Sequence, residues 1–192
     1  MFKPQPVTLR RGALCLEPLV EADLPELLAL AEANGQQLIH MNGPLRPDWY
    51  RQALAAQRDG LLVIFAVRLD GRLAGTTRFL DFIPNLPAAE IGATWLAAAH
   101  HGGGLNTAMK FLMLRQAFEQ WEMVRVQLKT AASNLRGQRA IEKLGAQREG
   151  LLRNHRRLAD GRLDDSVLYS LTDQEWPQTR ARLEAELAAL RL

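Results

Sequence analysis

Short blocks of alternating or continuous apolar residues predict a series of β-strands along the chain. Residues 7–18 alternate apolar with polar positions, which predicts a first strand or a hairpin. The dipeptide Asp70-Gly71 predicts a tight turn between two buried strands. Beyond the first strand, the pattern predicts strands over residues 61–69, 72–82, 90–96, 123–130, 146–157 and 166–171.

Apolar residues three and four positions apart predict helices between these strands. Leu24 and Leu27 begin one such repeat, where Asp23 can cap the helix and Gly35 can end it. Further helices are predicted over residues 48–58, 105–120, 134–144 and 178–190. The apolar residues of 105–120 cover more than one helix face, so we expect this helix to be buried against a sheet.

The order of these elements predicts an α/β or α+β fold, with helices on the faces of a sheet. No linker rich in Gly, Ser or Pro divides the chain, so we expect a single domain over residues 1–192. Hydrophobic residues at 47% and charged residues at 23% are typical of a folded globular chain and argue against disorder.

Composition also narrows the location and the partners. The apolar runs are too short to span a bilayer, and the first residues lack the apolar segment of a secretory signal. The single cysteine, Cys15, cannot form an internal disulfide. We therefore expect a cytoplasmic protein with no membrane partner and no metal site.

The net charge of +3 is small, and the basic residues form no long stripe or tail. We therefore expect no nucleic-acid partner. The densest basic cluster comprises Arg148, Arg153, Arg156 and Arg157. This cluster could bind a phosphate or an acidic substrate. The simpler interpretation is that it forms the solvent-exposed face of a strand pair.

A glycine turn, Gly102-Gly103-Gly104, stands between a predicted strand and a predicted helix. The first turn of a helix has backbone N–H groups without partners and a partial positive charge, so it attracts anions. Glycines let a phosphate approach this backbone closely, and Asn106 and Thr107 add polar side chains. A plain loop is the alternative interpretation. The segment lacks the Gly-Lys-Ser/Thr of a P-loop and the acidic residue of a dinucleotide fingerprint.

Several segments together resemble the GNAT superfamily, and within it the RimJ/RimL type of N-acetyltransferase. They are Glu90-Ile91-Gly92, Trp95-Leu96, the stretch from Gly102 to Thr107, Asn134, the run Arg139 to Gly145, and the ending Asp165 to Trp176. The resemblance covers nearly the whole chain. It implies a mixed, mostly antiparallel twisted sheet of six or seven strands, with helices on both faces and an opening in the middle for acetyl-CoA.

The resemblance also implies which residues bind the coenzyme. The pyrophosphate turn corresponds to His101, Gly102, Gly103, Gly104, Leu105, Asn106 and Thr107. The backbone of Trp95 and Leu96 corresponds to the strand that pairs with pantetheine. Asn134 corresponds to an asparagine that hydrogen-bonds the pantetheine arm, and Arg139 to a basic position near a phosphate. One departure is Ala99, which stands where the family usually has Gln or Arg.

Acetyl transfer needs a group that accepts the proton of the amine, and the leaving thiolate benefits from a proton donor. Glu90 is the candidate base, acting through water, and a salt bridge is the alternative role for it. The family takes its acid from positions that are Gly137 and Ile141 here, and neither can donate a proton. Tyr169, Ser133 or an ordered water are the substitutes that we consider.

The acceptor is predicted to be a primary amine. At pH 7 the free energy of deprotonation is smaller for an α-amine, with a pKa of ~7.7–8.0, than for a lysine side chain, with a pKa of ~10.4. A peptide or protein N terminus therefore fits best. An antibiotic-like amine, or a CoA-binding module with little catalysis, are the alternatives. We expect the acceptor pocket between residues 36 and 49 and the closing hairpin, with His40, Met41, Asn42 and Trp49 as candidates. A homodimer is plausible from base rates.

Overall fold

The computed structural model describes residues 3–41 and 43–190, apart from the side chain of Gln37. The strands are β1 (Leu9–Arg11), β2 (Leu14–Pro18), β3 (Val63–Leu69), β4 (Arg72–Leu80), β5 (Ala88–Leu96), β6 (Arg125–Ala131), β7 (Gln147–Arg157) and β8 (Leu163–Thr172). The helices are α1 (Leu24–Ala33), α2 (Pro47–Arg58), α3 (Leu105–Arg115), α4 (Leu135–Glu142) and α5 (Trp176–Ala188).

The strands form one sheet in the order β1-β2-β3-β4-β5-β6-β8-β7. Every neighbouring pair is antiparallel except β5 and β6, which run parallel. This confirms the mixed, mostly antiparallel sheet. The described sheet has eight strands rather than six or seven, because residues 7–18 form the hairpin of β1 and β2 instead of a single strand.

Helices cover both faces of the sheet, as predicted. On one face, called the α3 face here, α3 and α5 pack on alternate strand residues such as Phe65 and Val67. On the other, called the α2 face, α1 and α2 pack on the residues between them, such as Ile64 and Ala66. Successive side chains of a strand point to opposite faces, so β3 serves both cores. Within the described chain, no helix is long and apolar enough to cross a membrane.

Helix α3 is the buried helix that its apolar pattern predicts. Leu105 and all residues from Thr107 to Leu114 are buried. The helical segment reaches Gln120 as expected, but its end differs from the prediction: residues Gln116–Gln120 form a π-helical turn rather than a continuation of the α-helix. The chain then enters β6, which lies beside β5.

Strands β5 and β6 part in the middle of the sheet. Only Ala88, Ala89 and Glu90 pair with β6, although β5 continues to Leu96. On its other side, β5 contains a bulge, because its pairing with β4 shifts between Gly92 and Trp95. Ala93 lies in this bulge with a φ of 47°. A bulge bends and twists its strand, so it turns β5 away from β6 beyond Glu90.

The left-handed backbone at Ala93 makes a stability prediction. Ala93→Gly should leave the free energy of unfolding unchanged or raise it by up to ~1 kcal/mol, since glycine adopts this conformation without the cost that a Cβ brings. Ala93→Val should lower it by about 1–2 kcal/mol, because a β-branched residue is strained there. Denaturant unfolding of the three proteins measures both effects. A valine variant as stable as the wild type would contradict the bulge geometry.

Candidate active site

A cavity of about 580 Å³ occupies the opening between β5 and β6. Its lining includes Thr94 and Lys110 from the side of α3, and Met41 and Trp49 from the segment around α2. The cavity therefore connects the two faces of the sheet. Its volume is in the usual range for small-molecule sites.

The glycine turn forms one end of this cavity. Gly102 and Gly104 have φ values of 80° and 84°, and α3 begins directly after them at Leu105. Gly102, Gly104, Asn106 and Thr107 line the cavity. Of the other residues of the predicted turn, Gly103 is exposed and Leu105 is buried in the core, and neither lines the cavity. The unpaired N–H groups of the first helical turn thus lie at the cavity, which suits an anion.

Gly104 has a structural reason as well as a functional one to be glycine. A Cβ at Gly104 would lie 2.3 Å from Cδ1 of Leu190, and the φ of 84° is left-handed. A Cβ at Gly103 would meet nothing within 4 Å, and its φ is ordinary. A Cβ at Gly102 would also meet nothing within 4 Å, and Gly102 lines the cavity, so it is the position of the turn where a larger side chain tests ligand approach.

His101 connects the turn to the end of β5. Its Nε2 lies 3.0 Å from the Leu96 carbonyl oxygen, and its Nδ1 lies 2.9 Å from Nη1 of Arg136. A guanidinium can only donate, so Nδ1 accepts and Nε2 carries the hydrogen that is donated to Leu96. Both ring nitrogens are engaged, which makes His101 a brace for the turn rather than an acid or base.

Arg136 was missed by the sequence analysis, which chose Arg139. Arg136 lines the cavity beside His101, whereas Arg139 is exposed and does not line it. The cavity face of α4 also includes Gly137, Ala140 and Ile141. These positions repeat at helical spacing and exclude residue 139. At 3.6 residues per turn both arginines lie roughly opposite Asn134, so the sequence offered no signal that favours Arg136.

Asn134 caps α4 at the edge of the cavity. Its Oδ1 accepts a hydrogen bond of 2.9 Å from the Gly137 N–H, and its Nδ2 donates to Oγ1 of Thr130 at 3.1 Å. A Cβ at Gly137 would lie 2.5 Å from that Nδ2. The cap therefore excludes a side chain at Gly137. Neither Gly137 nor Ile141 brings a proton donor to the cavity that both line.

Glu90 lies at the point where β5 and β6 part and lines the cavity with its side chain 7% exposed. Its Oε2 accepts hydrogen bonds from Lys129 Nζ at 2.8 Å and Gln127 Nε2 at 2.9 Å. No described side chain donates to its Oε1. The salt-bridge role that the sequence left open is thus present, and one carboxylate oxygen remains for a water or an amine.

Lys110 is a second cavity residue that the sequence analysis missed. Its Nζ donates to Thr94 Oγ1 at 2.5 Å and to Thr77 Oγ1 at 3.3 Å, and the residue is only 5% exposed. Burial lowers the pKa of Lys110 to about 7, while the nearby charge of Glu90 opposes this shift. The sequence offered no signal beyond a lysine among the apolar residues of α3.

The structure does not bring Tyr169 into the cavity. Tyr169 is fully buried in β8 and is not a lining residue, and its hydroxyl donates to Glu142 Oε1 at 3.0 Å. Burial and this carboxylate raise the pKa of Tyr169 to about 12. Ser133 also lies outside the lining. Its Oγ donates to Asp164 Oδ2 at 2.5 Å and lies 3.3 Å from Nδ1 of His40.

Another part of the cavity lining, called the acceptor end here, contains the predicted acceptor residues. His40, Met41 and Trp49 line it, and Arg156 and Arg157 of the closing hairpin line it as expected. Asn42 lies outside the described residues. Arg78 stacks on Trp49 with its guanidinium carbon 4.0 Å from the ring centroid. Burial lowers the pKa of Arg78 to about 10. No group of described His, Cys, Asp and Glu residues could hold a metal ion.

Comparisons with known proteins agree with this geometry. Residues 13–147 match the acetyltransferase (GNAT) domain family. The chain belongs to the GNAT acetyltransferase family. A Bacillus subtilis (strain 168) protein named "Putative ribosomal N-acetyltransferase YdaF" is 33% identical over 132 residues, which is 68% of each chain.

Two solved structures illustrate the match in three dimensions. A "putative acetyltransferase" from T. thermophilus is 36% identical, with a TM-score of 0.80 over 97% of this chain and 100% of that one. Mycobacterium smegmatis RimJ in complex with CoA-disulfide is 23% identical, with a TM-score of 0.81 over 97% and 96%. At that identity RimJ shows the shared fold. The family match and the relative named a ribosomal N-acetyltransferase, together with this shared fold, confirm the RimJ/RimL resemblance inferred from the sequence.

The buried Lys110 makes a prediction about how stability depends on pH. Its folded-state pKa of about 7 lies below the ordinary lysine value of 10.5, so unfolding takes up a proton between these two pH values. Lys110 therefore destabilises the fold most at and below about pH 7, and less as the pH rises. Lys110→Met should raise the free energy of unfolding at pH 6 by about 1–4 kcal/mol, because methionine of similar volume replaces a buried charge.

This stabilisation should shrink as the pH is raised toward 10, and denaturant unfolding of both proteins across this range measures it. Lys143→Met is a matched comparison at an exposed lysine paired with Glu186, and it should show no such gain. A gain for Lys110→Met that is independent of pH would show that Lys110 is not titrating in the folded state.

Proposed function

We propose that this chain transfers the acetyl group of acetyl-CoA to the α-amine of a peptide or protein N terminus. The observation that supports this most is the continuous cavity that joins the glycine turn to the acceptor end through the gap between β5 and β6. The names of its relatives support it as well, since one is named a ribosomal N-acetyltransferase and another is RimJ in complex with CoA-disulfide.

In this proposal the coenzyme pyrophosphate lies at the glycine turn. The backbone N–H groups from Gly102 to Thr107 supply donors there, and each hydrogen bond to a charged group contributes about 1.5–3 kcal/mol. Arg136 lies beside the turn and adds a positive charge from α4. Arg139 remains the residue that the family resemblance suggests, although it points away from the cavity lining.

The pantetheine arm would follow β5 from the glycine turn toward Glu90. Beyond Glu90 none of the described strands pairs with β5 on the β6 side, so backbone N–H and C=O groups of this stretch are available to an extended ligand. Trp95 and Leu96 belong to this stretch. The Leu96 carbonyl already accepts from His101, so its second lone pair is the one left for the arm. Asn134 lines the opposite wall, on the β6 side.

The transfer itself needs a neutral amine next to the thioester. An α-amine requires only about 1–1.4 kcal/mol to lose its proton at pH 7, whereas a lysine side chain requires about 4–5 kcal/mol. Glu90 is the proposed base, acting directly or through a water at its Oε1. Its ion pair with Lys129 orients it in the gap. A free N–H of the β5 backbone would stabilise the oxyanion.

A CoA-binding module with little catalysis is the second candidate, favoured by the absence of a proton donor at Gly137 and Ile141. The two candidates share the coenzyme site and differ in turnover. A third candidate is acetylation of an antibiotic-like amine, because one fold can serve several substrates; it differs from the first candidate only in the acceptor. Turnover measured against a panel of acceptor amines separates all three.

Coenzyme binding can be tested at Gly102, which lines the cavity. Gly102→Val should weaken the binding of CoA at least about 10-fold, because a branched side chain would stand between the backbone of the turn and the phosphates. Isothermal titration calorimetry measures the affinity. Gly71→Val is the matched control, since Gly71 has a similar left-handed φ of 76°, a Cβ there also meets nothing within 4 Å, and Gly71 lies outside the cavity lining. Equal affinities of both variants and the wild type would refute the placement of the turn.

Turnover is tested by thiol release from acetyl-CoA against peptides with free N termini, the same peptides with blocked N termini and internal lysines, and aminoglycoside-type amines. We expect activity on the free N termini. Glu90→Gln should lower kcat/KM about 100-fold or more, because an amide accepts no proton. Unchanged activity between about pH 6 and 9 would exclude Glu90 as the base.

A further inference from the structure

Lys110 is a buried cation that the steps above do not use. Its three N–H groups meet two hydroxyl acceptors, Thr94 and Thr77, and none of the described carboxylates lies within ion-pair distance of it. One N–H is therefore left without a protein acceptor among the described residues. Lys110 lines the cavity, so a group bound there can supply the missing acceptor.

Lys110 and Glu90 enter the cavity from opposite faces of the sheet. Ile91 packs in the core of the α3 face, so its neighbour Glu90 points to the α2 face. Gln127 and Lys129, which bond to Glu90, alternate with residues of the α3-face core and so share its orientation. Lys110 arrives from α3 itself and contacts Thr94 on that side.

The proposed coenzyme lies on the side of Lys110. Its pyrophosphate would sit at the N terminus of α3, and Lys110 is on the same helix, about 7.5 Å further along the helix axis from Leu105. The arm then runs along β5 from Leu96 toward Glu90, past Thr94. Acceptor residues such as Trp49 lie toward the other face. The sulfur of the thioester thus lies on the Lys110 side of the carbonyl carbon. The attacking amine approaches that carbon from the Glu90 side.

We propose that Lys110 is the proton donor to the departing sulfur of coenzyme A, an inference that rests on the proposed acetyl transfer. The C–N bond forms as the C–S bond breaks, and the electron pair of that bond goes to sulfur. The Lys110 ammonium gives one proton to the sulfur and becomes a neutral amine. The proton of the acceptor amine leaves through Glu90 to solvent, and solvent returns a proton to Lys110.

The environment of Lys110 suits a group that gives up and regains a proton near neutral pH. Burial lowers its pKa to about 7, and Glu90 opposes the shift. The other charges lining this part of the cavity are Lys129, which pairs with Glu90, and Arg156. A general acid works best when its pKa is near the operating pH. Because the donor must be protonated, kcat should fall as the pH rises through the pKa of Lys110 in the complex.

The kinetic test compares Lys110→Met and Lys110→Arg with the wild type on a peptide α-amine. Both variants should lose about 100-fold in kcat, since methionine has no proton and arginine does not release one. The KM for acetyl-CoA should stay within about threefold, and the fall of kcat above about pH 7 should disappear. Met113→Leu, a conservative change at a neighbouring residue of the same core, is the control for packing and should retain the wild-type profile.

A second measurement needs no turnover. Coenzyme A is bound to each protein, and ionisation of its thiol is followed by the ultraviolet absorbance of the thiolate as the pH is raised. A cation beside the sulfur lowers the thiol pKa. Arginine stays charged at these pH values, whereas Lys110 loses its proton near pH 7, so the thiol should ionise about one pH unit lower on Lys110→Arg than on Lys110→Met.

The outcomes separate the two proposals. If the wild type acetylates no amine but the thiolate curves differ as expected, acetyl transfer is refuted and the contact between Lys110 and the sulfur stands. If the wild type is active, the thiolate curves of Lys110→Arg and Lys110→Met coincide, and Lys110→Met keeps its kcat within about threefold, the role of Lys110 is overturned while acetyl transfer stands. A loss of kcat in Lys110→Met with full activity in Lys110→Arg would also overturn proton donation.

Discussion

The parting of β5 and β6 beyond Glu90 is the constraint on which the rest of the site depends. Two neighbouring strands normally use their inner backbone groups on each other, which would close the sheet. Here the bulge at Ala93 bends β5, and the pairing with β6 ends after three residues. The unpaired backbone and the cavity are two consequences of the same bend. A ligand with its own amide groups, such as pantetheine, can supply the hydrogen-bond partners that the separated strands lack.

The gap also decides where charge can be buried. Lys129 and Gln127 bind Glu90 at the base of the gap. Lys110 reaches the gap from α3, where its ammonium donates to hydroxyl groups rather than to a carboxylate. A buried charge is costly unless it is paired, so an ammonium with hydroxyl partners alone destabilises the folded protein. Retaining such a lysine at the wall of a cavity is a pattern that functional sites show more often than structural ones.

Several residues of the site hold the fold and shape the cavity at once. His101 fastens the glycine turn to β5, Asn134 caps α4, and Gly104 accommodates both a left-handed backbone and the side chain of Leu190. The asparagine cap leaves no space for a side chain at Gly137. This crowding gives a structural reason for glycine at position 137, which is a proton-donor position in the family. A proton donor must then come from the opposite wall of the gap, where Lys110 lies.

The sequence by itself determined the local features of this protein. Periodicity located the helices, with α2 found over Pro47–Arg58 against a predicted 48–58, and the glycine turn before α3 could be recognised as a candidate anion site. These features depend on residues that are near one another in the chain. The resemblance of the ordered motifs to GNAT proteins then supplied the family, the sheet and the expectation that the chain binds CoA.

Tertiary structure alone decided which side chains meet in the gap. Lys110 contacts Thr94 and Thr77, which are 16 and 33 residues away in the chain, and Glu90 contacts Gln127, 37 residues away. The choice of Arg136 over Arg139 depends on which face of α4 turns toward the cavity, and the exclusion of Tyr169 from the lining depends on which face of β8 is covered. Such choices follow from the packing of the sheet against its helices, where rotating an element by one residue changes which side chain is buried.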